Sequence, residues 1–202
     1  MESPRHLGHD ETGLIVFDID DTLLRADTSD FYIYKRTPRG IIPLTTTEYA
    51  HDPDAGDPSR KDLFDFRDFR NPTKVYQSII NGTPLLHNLR ILDDYVNAGY
   101  DFCFLTARSC EDVVKRAIND FLRIRKDGDL RELGTIFNRT LSHAVNDDIR
   151  NYPGRTDAEK KANILVDLSR SVDKIVFVDD DPKNIRAAKD LSIPNMKVIK
   201  AH

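Results

Sequence analysis

Four groups of polar residues stand directly beside short apolar runs in this chain of 202 residues. Asp18-Ile19-Asp20-Asp21-Thr22 follows Leu14-Ile15-Val16-Phe17. Thr106 closes Phe102-Cys103-Phe104-Leu105 and leads into Ala107-Arg108. Lys160 and Lys161 open an amphipathic stretch, and Asp179-Asp180-Asp181 follows Ile175-Val176-Phe177-Val178. Clustered carboxylates are the donors that a hard divalent cation takes. A calcium loop starting at Asp18 would need Gly at its sixth position and Glu at its twelfth; the sequence has Leu23 and Ser29 there. Asp181, just ahead of Pro182, reads as a helix N-cap. Alone, Asp179 would read as a cap, Thr106 as structural and Lys161 as a surface lysine; their company points to chemistry.

The elements that must position these groups alternate in type. Residues 14–17, 102–105, 174–178 and 197–199 are short apolar strands of the kind buried on both faces. Leu85, Leu86, Leu89, Leu92 and Val96 keep helical spacing, with Thr83 as cap, Pro84 at the first position and Gly99 as the stop. Ser109 with Asp112 resembles a capping box for a helix that holds Val113, Val114, Ala117, Ile118, Phe121 and Leu122 on one face. Residues 157–169 and 182–191 read as helices, and 134–137 as a short third strand. Alternating strands and helices predict an α/β fold, a Rossmann-like parallel sheet covered on both faces. Ligands of such sheets bind beyond the carboxyl ends of the strands, where the polar groups lie. Residues 25–82, rich in Pro and Gly, break the alternation. Phe31 to Tyr34 and Ile41-Ile42 flank Thr37-Pro38-Arg39-Gly40 as a hairpin. The segment reads as a flap or small cap inserted over the site, within a single domain spanning 1–202. Phe64, Phe66 and Phe69 read as its small core, and Lys35, Arg36 and Arg39 as a solvated turn.

Adjacent lysines are separated by the helical wheel. The mean direction of Ile164, Leu165 and Leu168 lies about 13° from Lys161 and about 87° from Lys160. Lys161 therefore follows the buried face. Net charge is -4, which disfavours a broad nucleic-acid surface. Two cysteines, Cys103 and Cys110, build no disulfide framework. With a polar start and no long apolar stretch, they suggest a cytoplasmic protein with no membrane span. His87 and His143 lack partners at metal spacing.

In this order and context, the four groups resemble the motifs of the haloacid-dehalogenase-like (HAD) phosphohydrolases. DxDxT stands as Asp18 to Thr22, the threonine ending the second strand as Thr106, the lysine as Lys161 and the acidic pair as Asp179-Asp180. The resemblance covers roughly 13–24 and 84–200. It implies a magnesium-dependent phosphomonoester hydrolase that passes through an aspartyl-phosphate. A phosphomonoester dianion repels nucleophiles, so such a site needs positive charge and in-line positioning. Asp18 is the implied nucleophile and Asp20 the implied acid and base. Thr106 and Lys161 would hold phosphoryl oxygens. The implied metal ligands are Asp18, the Asp20 carbonyl and Asp179, with Asp180 behind them or joined through water. Thr22 and Arg108 fall on the substrate side, Thr22 also as a brace for its loop. The insertion looks similar to small phage and bacterial HAD phosphatases and to the 3′-phosphatase half of polynucleotide kinase-phosphatases. That implies a nucleotide or a nucleic-acid 3′-phosphate as substrate. Alternatives are a phosphomutase or phosphoprotein phosphatase of the same superfamily, or an inactive binding protein on the same fold. A phospho-receiver domain is rejected by motif order, because its acidic pair follows the first strand, not the last.

Overall fold

The computed structural model describes residues 6–8, 10–26, 30–55, 57–124, 141–147 and 149–202. Its strands are β1 (Gly13–Phe17), β2 (Leu24–Arg25), β3 (Ile33–Thr37), β4 (Gly40–Leu44), β5 (Phe64–Asp65), β6 (Thr83–Pro84), β7 (Asp101–Thr106), β8 (Leu141–Ala144), β9 (Lys174–Asp179) and β10 (Met196–Lys200). Its α-helices are α1 (Thr46–Ala50), α2 (Pro72–Ile80), α3 (Leu86–Asn97), α4 (Glu111–Ile124), α5 (Asp157–Ser169) and α6 (Pro182–Asp190). None of these is long and apolar enough to cross a membrane.

The central sheet has the order β10-β9-β1-β7-β8, and every neighbouring pair is parallel. Side chains alternate across a strand, so each strand feeds two cores. Ile15, Phe17, Phe102, Phe104, Val176 and Val178 pack on one face with residues of α2, α3 and α4. Leu14, Val16, Cys103, Leu105, Ile175 and Phe177 pack on the other with Ile164, Leu165 and Ala188 of α5 and α6. Apolar runs without alternation are what burial on both faces demands. The expected α/β sheet with helices on both faces is observed.

Local signals failed at two places. Thr83-Pro84 does not open α3. It pairs antiparallel with Leu24-Arg25, and the helix begins at Leu86 after a Leu85 cap that makes no side-chain bond. The expected stop is present, with Gly99 at φ 96° in the left-handed conformation that ends helices. Ser109 does not cap α4, because its hydroxyl donates to the Asn146 carbonyl. The Glu111 amide is met instead by Asp147 Oδ2 at 2.9 Å. The strand expected at 134–137 lies outside the described residues; the strand beside β7 is β8.

The segment between β2 and β6 holds the expected hairpin, with β3 paired to β4 and Thr37 opposite Gly40. β5 adds a third strand to it. Its end, α2, packs along α4 and sends Val75 and Ile79 into the same core as β1. Phe64, Phe66 and Phe69 meet Tyr49, Phe31 and one another edge-on or tilted.

Candidate active site

Strand register builds the site. Phe17 lies opposite Val178 on β9 and Phe104 on β7. The next residues beyond those carboxyl ends are therefore Asp18 and Asp179, side by side, with Thr106 one step further along β7. After β1 the chain goes to β7 and β8 on one side, then crosses to β9 and β10 on the other. The crevice at such a reversal of strand order is where open α/β sheets take ligands.

A tight loop carries Asp20 and Thr22 out of β1. Leu23 and Leu24 both donate to the Ile19 carbonyl, and Asp21 stands at φ 55°, a conformation Asp tolerates better than most residues. Asn88 of α3, fully buried, donates to the Thr22 carbonyl at 2.8 Å and fastens the loop to the core.

Lys161 is the hub. The side chain is 2% exposed, and its ammonium donates to Asp18 Oδ1 at 2.6 Å and to Asp179 Oδ2 at 2.8 Å. Its neighbour Lys160 turns away and donates to Asn146. Burial pulls the Lys161 ammonium down, but Asp179 and Asp18 raise it by more, so its pKa stands well above the ordinary lysine value. Burial is also the main cause that lifts Asp18 well above the carboxylate range. Lys161 opposes it, while Asp179, Asp180 and Asp20 add to it. Burial and then Asp179 push Asp180 up to about 7.

The two members of the acidic pair are used differently. Asp179, fully buried, accepts from Lys161, from the Asp181 amide and from Asn184 Nδ2 on both oxygens. Asp180 is half-buried and receives the Thr22 hydroxyl on Oδ1 at 3.1 Å. Asp181 caps α6 through the Lys183 amide, as its position before Pro182 predicts. Among the described residues, one group of acidic side chains can hold a metal ion: Asp18, Asp179 and Asp180, whose ligand oxygens lie within 4.8 Å of one another. An all-oxygen donor set of this charge fits a hard divalent cation.

Two residues expected on the substrate side turn inward. Thr22 is fully buried on Asp180. Arg108 is also fully buried and grips Asp20 with both prongs, Nε to Oδ2 at 2.9 Å and Nη2 to Oδ1 at 2.6 Å. Nη1 meets the Val75 carbonyl and the Ser78 hydroxyl, and the guanidinium lies 4.7 Å from the centre of the Phe31 ring. Thr106 is buried, and its hydroxyl accepts from the Arg108 amide at 3.3 Å.

The structure thus brings Asp18, Lys161, Asp179 and Asp180 together. It sets Thr106 at the end of the neighbouring strand and clamps Asp20 beside them. Asn88, Asn146 and Asn184 escaped the sequence reading. For Asn88 a signal exists, since it is a polar residue on the buried face of an amphipathic helix. A comparison of the sequence with models of known protein families and with curated proteins matches none.

Proposed function

We propose that this chain is a phosphomonoester hydrolase that depends on a divalent cation, magnesium by the resemblance of its motifs, and uses Asp18 as nucleophile. One observation carries the reading. Asp18 emerges from the central strand into a crevice where a buried lysine and an acidic pair converge on it.

Each residue type has a task in such a reaction. Asp18 Oδ1 is held by Lys161, which leaves Oδ2 to attack phosphorus and form an aspartyl-phosphate. Lys161 lies where it can also offset charge that grows on the phosphoryl oxygens. Asp18, Asp180 and the less available Asp179 would hold the cation. The hydrogen bonds favour Asp180 as the direct ligand, because three donors, Lys161, the Asp181 amide and Asn184, already crowd the two oxygens of Asp179, while Asp180 receives the Thr22 hydroxyl on one. The cation would supply positive charge beside a buried carboxylate that must be ionised to attack. Asp20 would protonate the leaving oxygen and later take a proton from water. Arg108 fixes the orientation of Asp20, and each Asp20 oxygen keeps one acceptor site for that exchange. For the substrate class, the resemblance of the insertion supports a nucleotide or a nucleic-acid 3′-phosphate.

The test is hydrolysis of a panel in magnesium: p-nitrophenyl phosphate, 3′- and 5′-nucleotides, 3′-phosphorylated oligonucleotides, sugar phosphates and phosphopeptides. Wild type should turn over at least one class, and a folded Asp18→Asn variant none. Full activity in Asp18→Asn would end the nucleophile assignment. Inactivity of wild type on every ester would end the hydrolase reading.

A further inference from the structure

Asn146 sits half-buried in the loop after β8, outside the acidic cluster, and every polar atom it owns is engaged. Its amide donates to the Arg108 carbonyl at 3.3 Å, and its carbonyl accepts from the Ser109 hydroxyl at 2.8 Å. Its Nδ2 donates to the Ala107 carbonyl at 2.6 Å and to Asp157 Oδ1 at 3.1 Å. Its Oδ1 accepts from Lys160 Nζ at 2.7 Å. The three consecutive residues after Thr106 are thereby tied, through one side chain and its own backbone, to the first turn of α5. Lys161 follows that turn directly. The two adjacent lysines divide the work: one reaches Asp18, the other holds the bracket.

We propose that Asn146 is a positioning residue. It locks the Thr106–Arg108 loop in register with α5 and so sets the aim of Arg108 on Asp20. The inference rests on the hydrolase reading for its catalytic consequence, but not for its geometry. Lys161 and Arg108 arrive on elements about fifty residues apart in sequence, and catalytic groups must be held to within about 0.5 Å. A saturated side chain bridging the two elements supplies that constraint.

If Asn146 acts through Asp20, its loss should fall on esters that need a proton at the leaving oxygen. In Asn146→Ala, kcat/KM for an alkyl phosphate should drop by about tenfold to a hundredfold, against less than about threefold for p-nitrophenyl phosphate, whose leaving group needs no acid. Lys160→Met, which removes one surface-side contact and spares the fold, should move in the same direction by less. The double variant should be no worse than Asn146→Ala alone, as members of one network are not additive. Equal losses on both esters, or none, would overturn the proposal.

A readout independent of turnover separates this from the hydrolase reading. The Arg108 Nε–H, buried on Asp20, should exchange with solvent about tenfold or more faster in Lys160→Met and Asn146→Ala than in wild type, as local opening becomes easier. Unchanged exchange overturns the proposal even if wild type hydrolyses nothing; faster exchange sustains it even then.

Discussion

Lys161 is a buried cation whose partners would otherwise be buried anions. Breaking such an arrangement from one side is costly, because the remaining charge stays uncompensated in a dry site. Lys161→Met keeps the length and apolar character of the stem and removes only the charge. It should destabilise the chelator-treated protein by about 3–5 kcal/mol in urea unfolding, and cut turnover by about 10²–10³ in magnesium. Wild-type stability together with wild-type rate would show that the ammonium is incidental. Lys160 separates residue identity from role: its ammonium lies on Asn146, not on a carboxylate of the site. The wheel argument placed Lys161 on the buried face, as observed, because three apolar residues on one helix fix a direction without reference to the rest of the chain. Arg108 was beyond that reasoning. Its partners Asp20, Val75 and Ser78 lie 88, 33 and 30 residues away, and nothing local says which of them a guanidinium will find.

The seam between β8, the start of α4 and the loop ahead of α5 is held by a polar network centred on the buried Glu111. Glu111 Oε2 accepts from the Tyr152 hydroxyl at 2.8 Å and from the Ala144 amide at 3.1 Å, while Oε1 pairs with Arg150 at 3.0 Å. With its proton on Glu111, the Tyr152 oxygen accepts from His143 Nδ1 at 2.7 Å, which places a hydrogen on that nitrogen. Burial pulls the His143 pKa below the ordinary histidine value; Glu111 opposes this and Arg150 adds to it. The sign follows. Below the unfolded pKa, about 6.5, the unfolded chain takes a proton that the folded seam resists, so this part of the stability is complete above that pH and is lost as pH falls toward the folded value. Denaturation midpoints of wild type should therefore drop between pH 7 and pH 5 more than those of His143→Asn, which keeps a donor for Tyr152 but cannot titrate. Parallel curves would dismiss the assignment. The sequence showed none of this seam, though it did show β1, β7, β9, α5 and α6 closely. Those elements are apolar runs or amphipathic stretches with chemical stops at their ends. The start of α3 and the cap of α4 were misread because identical local residues serve two purposes. Thr83-Pro84 suits a cap and a short strand equally, and pairing with Leu24-Arg25 decides between them. The true partner of the Glu111 amide lies 36 residues downstream.

At the scale of the whole molecule, one reversal of strand order gathers three carboxylates at the ends of two adjacent strands, two of them on a single buried ammonium. The ends of the insertion meet in the β2–β6 pair beside this crevice, and α2 returns its Val75 and Ile79 to the main core. The acidic centre is thus built into the part of the structure that folds cooperatively, not hung on a peripheral loop. A ligand that binds the native centre and not the unfolded chain raises global stability by mass action, by about 2.7 kcal/mol at a hundred times its Kd. For a chain of this size each kcal/mol moves the melting temperature by about 2–4 °C, so saturating magnesium should raise Tm by about 5–10 °C over protein in chelator. Asp180→Asn keeps an acceptor for the Thr22 hydroxyl but removes the carboxylate with an oxygen to spare. It should abolish most of the magnesium shift while leaving the Tm in chelator unchanged or higher, since a like charge has left a buried cluster. Sodium chloride at matched ionic strength should give neither protein the shift. A magnesium effect of equal size in both proteins would mean that the ion acts on the general surface charge, and the three aspartates would then stand as a structural cluster held together by Lys161.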